Sequence, residues 1–295
     1  MFVSVKEIAK KWNISKRMVR NYCAHGRIPG AFLTGKTWNV PANAIKPLRE
    51  VTKPFSDNPL LNVLKEQKDI KLKGGIYHKT QIELTYNSNH IEGSTLTRDQ
   101  TRYIFETSTI CVKKEPINVD DIVETANHFR CVDYIIDNAM KPLSESMIKK
   151  LHFILKNGTS ESRKQWFNVG DYKRLPNEVG GMETCLPESV KSEMKKLLSS
   201  YNNIQKKTLE QILEFHKNFE YIHPFQDGNG RVGRLIMFKE CLANNIVPFI
   251  IDEKHKLFYY RGLKEWNHEK GYLIDTCLSC QDNYKVWLDY FKIKY

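Results

Sequence analysis

The sequence predicts a mainly α protein in two domains, a small N-terminal one and a larger helical one carrying a single β-hairpin. Three observations predict it. Apolar residues recur at helical spacing over long stretches, as in Leu209, Ile212, Leu213, Phe215, Phe219 and Ile222. Capping-box spacings stand at Ser4 to Glu7 and Thr97 to Gln100. Charge is divided unevenly: residues 1–50 hold ten Lys/Arg against Glu7 and Glu50, while the other 245 share 36 basic and 32 acidic residues within a net +12. The basic excess therefore belongs to the N-terminus and points to a polyanion there.

Composition narrows the class. A chain of 295 residues, 41% apolar and 27% charged, has the make-up of a globular protein with a sizeable core and not of a disordered one. The longest apolar run, Ile246–Ile251, is far below the ~18 residues of a spanning helix. The opening Met1-Phe-Val-Ser-Val-Lys6 lacks the layout of a secretory leader. The expectation is a cytoplasmic protein with no membrane partner. Seven scattered cysteines do not form a disulfide framework. Cys277 and Cys280 have metal-like spacing but no second pair nearby, and read as two small apolar side chains on one helical face.

Ser4 should cap a helix that buries Val5, Ile8, Ala9 and Trp12. After a tight turn at Asn13-Ile14, Ser15 caps a second helix that Gly26 ends. This is a helix-turn-helix layout. Its second helix turns Lys16, Arg17, Arg20 and Asn21 outward, residue types that reach phosphates and base edges. Two short alternating runs around Gly35-Lys36 read as a small wing. Residues 2–48 resemble the winged helix-turn-helix of the MerR/excisionase type, in Gly26-Arg-Ile-Pro-Gly30 and Trp38-Asn-Val-Pro41. The resemblance implies DNA binding through residues 1–50; a module that docks a protein is the other reading.

Pro54, Asn58-Pro59 and Gly74-Gly75 punctuate residues 51–75, which read as a linker with one short helix around Leu60–Gln67. The larger domain is then expected over 76–295. A helix at about 77–93 ends in Ser88-Asn-His-Ile-Glu92-Gly93, which alone is a helix end with a glycine cap.

The segment richest in chemistry is His223-Pro-Phe-Gln-Asp-Gly-Asn-Gly-Arg-Val-Gly-Arg234. The apolar period predicts a helix over 208–222, stopped by Pro224, and a second beginning near Arg231. Gly228 and Gly230 allow the backbone N–H groups between the helices to converge on an anion. The following helix N-terminus favours phosphate. Arg231 and Arg234 lie on one face of its first turn and add charged donors. Asp227 is a hard oxygen ligand for Mg²⁺, and His223 a base that titrates near neutrality. Together these residue types describe a phosphoryl- or nucleotidyl-transfer site.

Residues 223–234 match every specified position of His-Pro-Phe-x-(Asp/Glu)-Gly-Asn-Gly-Arg-x-x-Arg, and the chain is thereby identified as resembling the Fic family from about residue 75 to 270. The resemblance implies an all-α Fic core with a small β-hairpin flap, and transfer of AMP from ATP to a Tyr, Thr or Ser hydroxyl of a target protein, itself included. By position it implies His223 as base, Asp227 as Mg²⁺ ligand, Arg234 on the γ-phosphate, Phe225 at the nucleotide site packing the loop into the core, and Gly228, Asn229, Gly230, Arg231 and Gly233 around the nucleotide. Tyr259 and Tyr260 fall where the family has aromatic residues facing adenine, though a helical core stripe explains them equally. Residues 170–181 take the position of the flap on which a target backbone would dock as a strand. Ser88-x-x-x-Glu92-Gly93 matches the family's inhibitory motif, which implies that Glu92 pairs with Arg234 and keeps the γ-phosphate from it. Two other activities remain open at this point: a nucleotide-sensing transcriptional regulator, and a Fic enzyme that removes AMP or transfers phosphate. A homodimer is left open as well.

Overall fold

The computed structural model describes residues 2–24, 26–35, 37–47, 57–111 and 116–295. They fall into two compact units, Met1–Lys53 and Pro54–Tyr295.

In the smaller unit a short strand, β1 (Phe2–Ser4), runs into the Ser4 capping box: Glu7 N donates to Ser4 Oγ at 3.3 Å and Ser4 N to Glu7 Oε2 at 2.8 Å. The box starts α1 (Val5–Trp12), which buries the four residues its spacing predicts. Asn13, left-handed at φ 52, turns the chain, and Ser15 accepts from Met18 N at 3.2 Å as α2 (Lys16–Ala24) begins. The two alternating runs are β2 (Phe32–Thr34) and β3 (Thr37–Pro41). They pair antiparallel, and β1 adds to the other edge of β3, so the order is β1-β3-β2. Three residues are too few to display a strand period, which is why β1 escapes a sequence reading. Val5, Ile8, Trp12, Val19, Ile28 and Val40 make the core between helices and sheet.

The larger unit starts earlier than its sequence suggests. Asn58 caps α3 (Pro59–Asp69), accepting from Leu61 N at 3.0 Å. Leu60, Leu61 and Leu64 are buried in the main core, and Asn58 Nδ2 donates to Leu242 O at 2.9 Å. Residues 57–75 are thus part of the folded body and not a linker; residues 51–56 of that expected linker lie outside the described ones. The Pro and Gly punctuation marks the ends of one docked helix. There follow α4 (Ile76–Ile91), α5 (Arg98–Thr107, capped by the Thr97 box), α6 (Val119–Asp137) and α7 (Glu145–Lys156). A two-stranded hairpin, β4 (Glu178–Val179) and β5 (Met182–Glu183), precedes α8 (Pro187–Asn202). The chain ends in α9 (Leu209–Ile222), α10 (Asn229–Ala243), α11 (Lys256–Glu265) and α12 (Gly271–Tyr290).

Helix α10 is buried on nearly every side, with α9, α6, α7 and α4 packed around it. Phe225, in the loop that feeds it, is buried in this core. Cys277 and Cys280 are buried side by side with Cys241, Tyr259 and Trp266, as apolar packing, and all seven cysteines are free. Among the described residues, no helix is long and apolar enough to cross a membrane.

Candidate active site

The loop between α9 and α10 starts with a conformational constraint. Pro224 disfavours helical geometry in the residue before it, so α9 stops at Ile222; His223 caps it in a left-handed conformation, φ 51, its N–H donating to Phe219 O at 2.9 Å. The half-buried ring has Nδ1 3.3 Å from the carbonyl of Glu220. A proton on Nδ1 is satisfied there, which leaves the Nε2 lone pair to accept another. Burial lowers the His223 pKa to about 4, against the Glu220 carbonyl, which raises it. The imidazole is therefore neutral at pH 7.

Two side chains hold the loop. Phe225 is fully buried, its ring stacked on His152 with centroids 4.0 Å apart and planes 7° from parallel. Burying such a ring is worth about 1.5–3 kcal/mol. Asn229 Oδ1 accepts from Phe225 N and Asn229 Nδ2 donates to Phe225 O, both at 2.8 Å. Phe225 thus packs the loop into the core as its position implies, and the Asn229 side chain braces the loop and does not face a ligand.

Gly228, at φ +81, caps α10 and supplies no side chain to do so. The first backbone N–H groups of α10 are left with neither an intrahelical partner nor a side-chain cap, an anion-seeking end. At Gly230 a β-carbon would stand 2.3 Å from Glu92 Oε1. The Glu92 carboxylate therefore lies directly on the first turn of α10. Arg234 Nη2 donates to Glu92 Oε1 at 2.6 Å and to Ser88 O at 3.0 Å, and its Nε donates to Ser88 Oγ at 3.0 Å. Burial works against the Arg234 charge, but Glu92 outweighs it and raises the pKa. Gly93, at φ +97, ends the turn that carries Glu92. Ser88, Glu92, Gly230 and Arg234, far apart in the chain, meet in one place.

Gly233 serves packing. A β-carbon there would come within 2.6 Å of Glu220 Oε1 and 2.7 Å of His216. Its expected place at the nucleotide is replaced by this close approach of α9 to α10. His216 Nε2 lies 2.6 Å from the Tyr259 hydroxyl, and Tyr259 is 1% exposed. Of the two tyrosines, Tyr259 is thus core, and its expected adenine-facing position is corrected; Tyr260 is exposed, its hydroxyl donating to Ile91 O at 3.4 Å.

Asp227 stands in a cluster that sequence reading does not assemble. Its Oδ2 accepts from Lys156 Nζ at 2.5 Å and from Arg231 Nη2 at 3.1 Å, while Glu124 accepts from both cations. Burial alone would raise the Asp227 pKa; Arg231 and Lys156 overcome it and hold the carboxyl well below its ordinary range. An ionised oxygen ligand is therefore in place for a hard cation. Among the described residues, no group of three or more His, Cys, Asp or Glu could hold a metal ion. The donor set fits a cation that brings the rest of its shell as phosphate oxygens and water.

Residues 170–177 lie along the loop without forming strand. Lys173 N donates to Pro224 O at 2.9 Å, Leu175 N to Gln226 Oε1 at 3.3 Å and Asn177 Nδ2 to Phe225 O at 3.2 Å. The hairpin itself is short and reaches Glu183, with Gly180-Gly181 as its turn and not its end. Glu178 and Val179 are exposed. In the smaller unit Lys16, Arg17 and Arg20 are exposed on α2; the side chain of Asn21 lies outside the described part, as does Lys36.

Glu124, Lys156, His152 and Glu220 go unnoticed in the sequence because each lies outside the glycine motif or at an unremarkable helical position. Only Lys156 carries a signal, a cation closing α7 just before Asn157-Gly158.

Residues 142–241 match the Fic/DOC family. The protein adenylyltransferase Fic of Drosophila grimshawi is 30% identical over 187 residues, 61% of this chain and 36% of that protein. Its Drosophila melanogaster counterpart is 29% identical over the same length, again 36% of the protein. The chain thus matches about a third of these curated relatives. Among solved structures, a Fic-domain-containing signalling protein from Bacteroides thetaiotaomicron superposes with a TM-score of 0.63 at 24% identity, covering 79% of this chain and 96% of that one. Fic-1 from C. elegans gives 0.61 at 18% identity, covering 78% and 70%. The structural likeness establishes a Fic fold for the larger unit's helical body. With the sequence matches, it supports a Fic family protein.

Proposed function

We propose that this chain is a protein adenylyltransferase that moves AMP from ATP to a hydroxyl of a target protein, and to itself, and that Glu92 restrains it. The observation that carries this reading is the meeting of a neutral imidazole with an anion-seeking helix end one loop away. The triphosphate would lie on the amides at 228–231 with Arg234 on its γ-phosphate. His223 Nε2 then accepts the proton of the incoming hydroxyl. That oxygen bonds to the α-phosphorus, and the bond to the β-phosphate oxygen breaks, releasing pyrophosphate. Asp227 would hold Mg²⁺, which supplies charge neutralisation on the phosphates when bound. Positioning and electrostatics account for most of the rate in chemistry of this kind. Tyr260 is the aromatic residue available to adenine, and the exposed edge at Glu178-Val179, beyond residues 170–177, is the proposed dock for the target backbone.

ATP labelled at the α- or the γ-phosphate separates the chemistries. With the Glu92→Gly protein and a cell lysate, protein-bound label beyond that of the lysate alone is expected from α-labelled ATP, and none beyond it from γ-labelled ATP. Label arriving from the γ position alone would mean phosphate transfer, and release of AMP from prelabelled protein would mean removal.

For the smaller unit we propose a winged helix-turn-helix that binds DNA. The exposure of Lys16, Arg17 and Arg20 along one helix favours it. Replacing all three by Ala is expected to weaken DNA binding and to lower the slope of log affinity against log salt by about one for each phosphate no longer neutralised. Gel shifts at several salt concentrations, with and without ATP, test this and also the alternative of a nucleotide-sensing regulator. That alternative requires DNA affinity to change with ATP.

A further inference from the structure

Lys156 closes α7 with its ammonium sealed from solvent, the side chain only 3% exposed. Three carboxylates surround it: Asp227 Oδ2 at 2.5 Å, Glu161 Oε2 at 3.3 Å, and Glu124, which also accepts a hydrogen bond. Arg231 bridges Glu124 and Asp227 from the other side, 3.1 Å from Asp227 Oδ2. Glu124 and Asp227 thus face each other across a single nitrogen. Two carboxylates so disposed would themselves attract a divalent cation, since hard cations take carboxylate oxygens. The ammonium occupies that position.

We propose that Lys156 is a tethered stand-in for the divalent cation: it neutralises Asp227 and Glu124 while the nucleotide is absent and so keeps free metal out of the site. The inference rests on Asp227 being the cation ligand of the proposed transferase. A cation arriving alone has to displace the lysine and leave a positive charge buried beside Arg231. A cation arriving on a triphosphate brings negative charge that offsets both. Lys156 thereby couples metal entry to nucleotide entry, and acts as a positioning residue for the Asp227 carboxylate.

Mn²⁺ binding to the full chain, followed by the electron paramagnetic resonance of the free ion, reads this directly and needs no turnover. Without nucleotide, Lys156→Met is expected to bind Mn²⁺ at least tenfold more tightly than the wild type, and adding Asp227→Asn should remove the gain. Equal affinity in the folded variant and the wild type overturns the proposal. If Lys156→Met fails to fold with its carboxylates uncompensated, Lys156→Met/Glu161→Gln removes one surplus charge while keeping Glu124 and Asp227, and carries the same expectation, with wild-type affinity again overturning it. Asp227→Asn in the presence of ATP tests the underlying reading separately, with protein-bound Mn²⁺ told from the Mn²⁺–ATP complex by equilibrium dialysis. Mn²⁺ binding lost there but unchanged by Lys156→Met overturns only the role of Lys156. Mn²⁺ binding retained there overturns both.

Discussion

In a Glu92→Gly background, His223→Ala is expected to slow AMP transfer about 10²–10⁴-fold, the range for loss of a positioned general base, while ATP affinity changes little. The separation follows from geometry. The His223 ring is hydrogen-bonded to the Glu220 carbonyl in the last turn of α9, outside the loop, whereas Phe225 and Asn229 hold the loop's shape. The amides proposed to bind phosphate should therefore survive the substitution. Equilibrium ATP binding together with transfer of α-label checks both halves, and a variant that loses both would mean the loop collapsed.

The pH profile makes the same claim in another way. Protonation of His223 removes the base, so kcat/KM should fall as pH drops through about 4, where burial holds the free protein's imidazole. A bound triphosphate adds negative charge beside the ring and favours the imidazolium. The acid limb of kcat should therefore lie above that of kcat/KM, because the former reports the complex and the latter the free protein. An acid limb of kcat/KM near 6.5, the ordinary histidine value, would mean that the ring is solvated and the pocket open.

Much of the fold can be read along the chain wherever the signal is local. The Ser4 and Thr97 capping boxes, the apolar period of Leu209–Ile222, and Pro224 after His223 each fix a helix end through contacts within four residues. The loop at 223–234 is legible for the same reason, since its glycines, acid and arginines are contiguous. What escapes needs contacts between distant elements. Whether Asn229 faces ligand or braces Phe225 depends on the loop's closure, and whether Gly233 meets ligand or fills a packing gap depends on how near α9 passes. Tyr259 and Tyr260 are adjacent and chemically alike, and the packing of other helices, with His216 on the Tyr259 hydroxyl, separates core from surface. The Glu124–Lys156–Asp227 cluster joins three elements, and no spacing rule along the chain could find it. Helix α3 reads as part of a linker because flanking Pro and Gly mark a docked helix as readily as a tether.

Glu92→Gly is expected to raise AMP transfer about 10–100-fold, since a charge-assisted hydrogen bond is worth about 1.5–3 kcal/mol and each ~1.4 kcal/mol is a factor of ten. On the proposed reading Glu92 would obstruct in two separable ways. Its charge occupies Arg234 Nη2 at 2.6 Å, and its bulk lies on the α10 first turn, where a β-carbon on Gly230 would find Oε1 at 2.3 Å. Glycine removes both obstructions. Glu92→Gln removes the charge and keeps the bulk, so transfer should rank glycine above glutamine above wild type. Ser88→Ala should fall close to wild type, below glutamine. Arg234 loses one bond to Ser88 Oγ at 3.0 Å but stays held by Glu92 and by the Ser88 carbonyl. If glutamine matches glycine, charge alone is the restraint. If neither variant exceeds wild type, the Glu92–Arg234 pair is an ordinary helix-to-helix salt bridge, and Arg234 does not receive the γ-phosphate.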